Sequence, residues 1–166
     1  MNNEMKRQAA GKSVAFTGHR HLDDAAVERV EKRLIEYIID LYHEGYDTFY
    51  CGMAMGFDLL AAECVVHVRQ HCGFSLRLVA CIPFPGQEKR YTEVDRFRYD
   101  TLLQTAEDKI YISGKYSRYS YLRRNDYMLE HADKVIAWHD PSLTKGGTAY
   151  TVRRAIEMKK DVANLF

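Results

Sequence analysis

Three short segments combine glycines with polar or charged residues: Thr17-Gly18-His19-Arg20, Gly52-Met53-Ala54-Met55-Gly56-Phe57-Asp58 and Lys145-Gly146-Gly147-Thr148. Glycine admits positive φ and lets a ligand come close to the backbone. A helix N-terminus behind such a loop offers unpaired N–H groups and partial positive charge to an anion. Gly146-Gly147-Thr148 fits a phosphate cradle, with the Thr148 hydroxyl as an added donor. A plain turn with Thr148 as helix cap accounts for the same residues. Asp58 falls in the first turn of a helix, where its charge suits the dipole but would repel a phosphate. Gly52, Met53, Gly56 and Asp58 therefore read as contacts to a ribose or base, the alternative being that Asp58 only caps its helix. The spacing matches neither the dinucleotide G-x-G-x-x-G fingerprint nor a Walker A loop.

Other side chains could join this chemistry. Arg20, Lys115, Arg118, Arg123 and Arg124 could neutralise phosphates, or form a solvated basic face. Tyr116, Tyr119 and Tyr121 could stack a base or simply pack. His19 and His21, with His139 and Asp140 elsewhere, have spacings seen in some zinc sites, but ordinary hydrogen-bonded histidines are the simpler reading. No metal or cofactor is assigned. Asp58 is the candidate for any catalytic role, ahead of Glu63, which lies deeper in the same helix.

These loops need elements to position them. Ser13–Thr17, Thr48–Cys51, Leu76–Ile82, Lys109–Ile112 and Lys134–Trp138 read as strands, with Val162–Phe166 as the candidate for a sixth. Helices are expected from Asp23 or Asp24 to about Glu44, from Phe57 to His71, from Glu88 to about Thr105, from Tyr119 to His131 and from Thr148 to Lys160. Val27, Val30, Leu34, Ile38 and Leu41 line one face of the first. Alternation of this kind implies a Rossmann-like three-layer α/β/α sandwich around a mostly parallel sheet of five to six strands. In such a sheet the loops leaving the strands gather on one edge, where ligands bind.

The 166 residues suit one domain, expected over 13–166 behind a loose tail at 1–12. The net charge of +1 gives no general bias toward nucleic acid or membrane, so nucleic acid is disfavoured as a partner. No apolar run approaches the roughly 20 residues of a membrane span, and the start lacks the apolar core of a signal peptide. Cys51, Cys64, Cys72 and Cys81 form no C-x-x-C pair and read as free thiols in a reducing cytoplasm. Homo-oligomerisation is left open.

The three motifs in this order and spacing, with the third continuing as Gly146-Gly-Thr-Ala-Tyr-Thr-Val152, resemble the YpsA-like proteins. These belong to the SMF/DprA and Lonely Guy (SLOG) superfamily of Rossmann-like domains. The resemblance covers Ser13 to the C-terminus and implies a small-molecule ligand derived from a nucleotide, such as ADP-ribose or an NAD-like molecule. Lonely Guy enzymes release a base from a nucleoside monophosphate; the DprA branch binds single-stranded DNA. Arg123 and Arg124 are the counterparts of an arginine motif in the enzymes. Those enzymes carry a glutamate three residues after the Gly-Thr pair, where this chain has Thr151. The resemblance thus implies a nucleotide-binding or sensing domain, with a phosphoribohydrolase-type enzyme or a single-stranded DNA binder as alternatives.

Overall fold

The computed structural model describes residues 11–166. The tail expected over 1–12 lies outside the described residues for its first ten positions, and Lys12 already opens the first strand. The elements run β1 (Lys12–Gly18), α1 (Asp24–His43), β2 (Tyr46–Cys51), α2 (Phe57–Cys72), β3 (Arg77–Ile82), a 3₁₀ turn (Gln87–Arg90), α3 (Glu93–Thr105), β4 (Asp108–Tyr111), α4 (Ser120–His131), β5 (Lys134–Trp138), α5 (Gly147–Glu157) and β6 (Asp161–Asn164). All strand pairings are parallel, in the order β4-β3-β2-β1-β5-β6. This is the expected three-layer α/β/α architecture.

Local chemistry sets the boundaries. Asp23 starts α1 by accepting a hydrogen bond from the Ala26 amide at 2.7 Å, and Ala26, Val30, Leu34, Ile38 and Leu41 then form its buried stripe. Gly73, at φ +67°, ends α2 in the left-handed conformation. The segment expected as one helix from Glu88 is divided. Its first turn is the 3₁₀ turn, Tyr91 is extended, and Thr92 caps a fresh helix through the Asp95 amide.

The order reverses between β1 and β5. Successive crossovers through α1, α2 and α3 move one way along the sheet and share a face; those through α4 and α5 move the other way and cover the opposite face. The core follows this division. Phe16, Leu34, Phe49, Leu60 and Leu102 pack on the first side, and Met128, Leu129 and Ala155 on the second. The reversal opens a crevice beyond the carboxyl end of β1, the usual ligand position in open parallel sheets. No helix among the described residues is long and apolar enough to cross a membrane.

Candidate functional site

A cleft of about 260 Å³ occupies that crevice. It is lined by the end of β1 and its loop (Phe16 to Arg20), by Ala54 and Asp58, by Tyr121, Arg124, Asn125 and Met128 of α4, and by Lys145 to Thr148. The three glycine-bearing segments thus converge. Phe57 joins the first two. Its ring packs edge-on against Phe16 and directly beneath Gly18, and its amide donates to the His19 carbonyl at 3.1 Å.

The segment after β2 is built against protein rather than toward ligand. Gly52 and Met53 are buried, and neither they nor Gly56 line the cleft. The Gln87 side-chain amide donates to the Gly52 carbonyl at 3.3 Å, and the Tyr91 hydroxyl to the Met53 carbonyl at 3.0 Å. These braces hold Met53 at φ +59°, a left-handed backbone that costs a side-chain-bearing residue on the order of 1–3 kcal/mol. Gly56 sits at φ +77° with its Cα against the Arg20 backbone. Of the residues expected in this segment to meet a ribose or base, Asp58 lines the cleft, and Ala54 lines it as well.

Asp58 does not cap its helix. Gly56 occupies the cap position without a side-chain bond. The Asp58 carboxylate turns back to accept the Ala54 amide at 3.3 Å. At 5% exposure it is desolvated, and burial raises its pKa from 3.8 to about 6 against the opposing pull of Arg124, the Ala54 amide and Arg20.

Arg124 is the other buried charge that lines the cleft, at 4% exposure. Its guanidinium donates to the Gly52 and Cys81 carbonyls through Nη1 and to Asn125 Oδ1 through Nε at 2.7 Å. Nη2 has no hydrogen-bond partner among the described residues, and none of their ion pairs includes Arg124. A side chain on Gly52 would collide with this guanidinium and with the Asp58 carboxylate, so the glycine is what lets both approach the same turn.

The network continues into the third segment. Asn125 Nδ2 donates to the Thr151 hydroxyl at 2.9 Å, which donates to the Gly147 carbonyl at 2.8 Å. Thr151, 1% exposed, therefore ties the first turn of α5 to Arg124. That turn carries no acidic residue and no side-chain cap, and Gly146 enters it at φ +100°. Gly147 and Lys145 are exposed and Thr148 is half-buried. The free amides of α5 and the Arg124 guanidinium thus border one cleft.

The remaining candidates separate. His19 lines the cleft and accepts the Asp140 amide on Nε2 at 2.8 Å, which places the proton on Nδ1. Burial and the neighbouring His139 lower its pKa, against Asp140. Arg20 is exposed, over the Tyr121 ring at 5.2 Å. Arg123 is exposed and does not line the cleft; nor do Lys115 and Arg118. Asn125 and Met128, which no sequence pattern singled out, do. Their signal was only the helix period: Asn125 follows Arg124, and Met128 lies one turn on. Among the described residues no group of three or more His, Cys, Asp or Glu side chains is arranged to hold a metal. All four cysteines are free, with Cys72 exposed.

Comparison with known proteins agrees with this architecture. UPF0398 proteins of Staphylococcus aureus strains JH9 and NCTC 8325 are each 26% identical over 138 residues, which span 78% of this chain and 73% of theirs. The X-ray structure of TM1055, a structural genomics target, superposes with a TM-score of 0.58 at 16% identity, over 91% of this chain and 72% of that one. DNA processing protein A from Helicobacter pylori, whose structure was described for its single-stranded DNA binding mode, gives 0.62 at 18% identity, over 95% of this chain and 66% of its own. At such identities the two structures establish a shared fold. The sequence profile of the YspA SLOG family (YpsA) matches residues 14–164, and the chain belongs to that family.

Proposed function

We propose that the cleft binds a nucleotide or a nucleotide-derived molecule through its phosphate, with Arg124 and the first turn of α5 as the anion site. The observation that carries this reading is the buried Arg124 guanidinium, which borders the cleft with Nη2 unpartnered and, although Asp58 lies near it across Gly52, with no carboxylate in ion-pair contact among the described residues. A buried cation is costly unless paired, and a phosphate beside it would also accept from the uncapped α5 amides. Thr17, His19, Arg20, Lys145 and Thr148 supply further polar or cationic groups around the same space. Asp58 would face the sugar or base, where an acceptor for hydroxyl groups is useful and a second anion is not. Family membership fits a nucleotide-related domain of this kind.

Calorimetric titration with mononucleotides, ADP-ribose and NAD tests this. Saturable binding is expected, weakened about 30-fold or more in Arg124→Met, the scale of losing one partner of a buried charge pair. Arg124→Lys, which keeps the charge without the fork, should lose less. Absence of binding to every ligand, or wild-type affinity in a folded Arg124→Met, would overturn the reading.

The altered Asp58 pKa supports a second reading, a hydrolase of the same ligands. A carboxyl poised near 6 can take or give a proton close to neutrality. Thr151 cannot serve, because its hydroxyl is buried and committed to Gly147 and Asn125. Incubation with nucleoside monophosphates, with free base quantified by chromatography, tests this. The enzymatic reading requires release of base that Asp58→Asn abolishes and Thr151→Ser preserves.

A further inference from the structure

The cleft is smaller than the roughly 300–1,000 Å³ of typical small-molecule sites. A nucleotide anchored there by its phosphate would project part of itself beyond the rim, and one rim is aromatic. The loop after β3 supplies Phe84, the loop after β4 supplies Tyr116, and the first turn of α4 supplies Tyr121. The Phe84 ring stands edge-to-face against both tyrosines, 5.3 Å from Tyr116 at 78° and 5.6 Å from Tyr121 at 81°. Tyr121 belongs to this group and also to the cleft lining. The Arg20 guanidinium lies over the Tyr121 ring. None of these three aromatic residues is part of the hydrophobic clusters on either face of the sheet, and Tyr116 is 63% exposed. The group therefore contributes little to the core, yet it keeps three flat apolar side chains at the edge where the phosphate-binding turn opens.

We propose that Phe84, Tyr116 and Tyr121 form a stacking wall for the nucleobase of the ligand held in the cleft. This inference rests on the nucleotide reading above and adds to it the place where the base goes. Perpendicular packing suits the role. In each perpendicular pair the edge of one ring meets a face of the other, so a pair occupies one ring face where parallel stacking would occupy two, and over Tyr121 the Arg20 and Arg124 guanidinium groups stand at 5.2 and 5.9 Å. Arg20 extends the surface, since a guanidinium plane over an aromatic ring is itself a platform for a base. Stacking of this kind tolerates different bases, because each has a π face. The ligand class is thus a nucleotide recognised by phosphate and ring, with limited discrimination among bases.

The test compares AMP, GMP, CMP and UMP with ribose 5-phosphate, which keeps the sugar and phosphate but lacks the base. Each is titrated by calorimetry into the wild type, Tyr116→Ala, Tyr116→Phe and Tyr121→Leu, with folding checked by circular dichroism. In the wild type the nucleotides are expected to bind about tenfold tighter than ribose 5-phosphate, within the range of one base stacked on an aromatic ring. Tyr116→Ala should remove most of that advantage without changing ribose 5-phosphate affinity, and Tyr116→Phe should keep it. Equal wild-type affinities for nucleotides and ribose 5-phosphate would overturn the wall while leaving the anion site standing. So would an advantage that survives in both Tyr116→Ala and Tyr121→Leu. If none of the five ligands binds, the nucleotide reading fails and the wall fails with it. Tight, salt-sensitive binding of an oligothymidylate without mononucleotide binding would overturn the assignment in favour of nucleic acid.

Discussion

Two glycine-bearing turns face each other across the sheet edge, and they are built on opposite principles. After β2, Gly52 lies under the Arg124 guanidinium and Gly56 against the Arg20 backbone. Before α5, an added Cβ at Gly146 would meet nothing within 4 Å, and one at Gly147 only the Asn125 amide nitrogen at 3.9 Å. The first turn uses small residues to let the protein pack on itself. The second leaves its space empty, which is what a ligand needs. The two similar sequence signatures thus come apart into a frame and a mouth. Arg124, Asn125 and Thr151 form the hydrogen-bonded link between them.

Breaking the frame should produce the largest effect. Gly56→Ala meets both an unfavourable φ and a backbone clash, each worth about 1–3 kcal/mol. A loss of about 2–6 kcal/mol is expected by that sum, read as a fall in the denaturant midpoint at constant slope. A Gly56→Ala protein as stable as the wild type would show that this turn is not the rigid element described.

The buried carboxylate gives an effect of similar size with a distinctive pH dependence. The Asp58 pKa is raised from 3.8 to about 6, so the folded state holds the proton more tightly than the unfolded chain. Stability from this group is full below about pH 4 and is lost as pH rises through 6, after which it is flat. Ionised Asp58 then costs on the order of 3 kcal/mol. Asp58→Asn keeps an acceptor for the Ala54 amide and carries no charge. It should therefore be more stable than the wild type at pH 8, with the gap closing toward pH 4.5. Parallel melting curves across that range check it, and a constant gap would remove Asp58 as the source.

The link should respond more modestly. Thr151→Val preserves shape but strands the buried Asn125 amide, a loss of about 1–3 kcal/mol. Thr151→Ser should recover most of it. Because the bond also positions the first turn of α5, Thr151→Val is expected to weaken phosphate binding, whereas Thr151→Ser retains it. Equal ligand affinities in the two variants would confine Thr151 to stability.

Much of the frame was legible in the residues. The alternation of β-rich and helical runs predicts the strands and the parallel sheet, and Asp23 marks its helix start as capping chemistry requires. The convergence of three loops follows from that sheet alone. The division of labour between the loops was not legible. Whether a glycine faces a ligand or a neighbouring side chain depends on contacts from distant segments, such as Arg124 reaching across 72 positions to Gly52. For the same reason adjacent arginines part company. Arg124 falls on the buried stripe of α4 and Arg123 on its solvent side, a matter of helix phase that a paired motif does not specify. The break at Tyr91 was missed because it serves Met53, to which the Tyr91 hydroxyl bonds, rather than local propensity.

The smallest expected change in stability belongs to the mouth, and it tests the comparison most directly. Gly147 is exposed, and neither a positive φ nor packing demands a glycine there. Gly147→Val should therefore shift the melting temperature by no more than about 2 °C, as for an ordinary surface substitution. At the first position of α5, however, the added side chain would stand where an anion must approach the free amides, and a branched residue fills that space more fully than alanine. Phosphate affinity should fall about tenfold in Gly147→Val and less in Gly147→Ala, the loss of roughly one charge-assisted hydrogen bond. The contrast with Gly56→Ala lies in the expected outcome, a loss of stability at one glycine and a loss of binding at the other. Melting curves and phosphate titrations on the same preparations separate them. A Gly147→Val protein that melts like the wild type and binds phosphate equally well would mean that the open turn is only a turn, and would move the anion site to Arg124 alone.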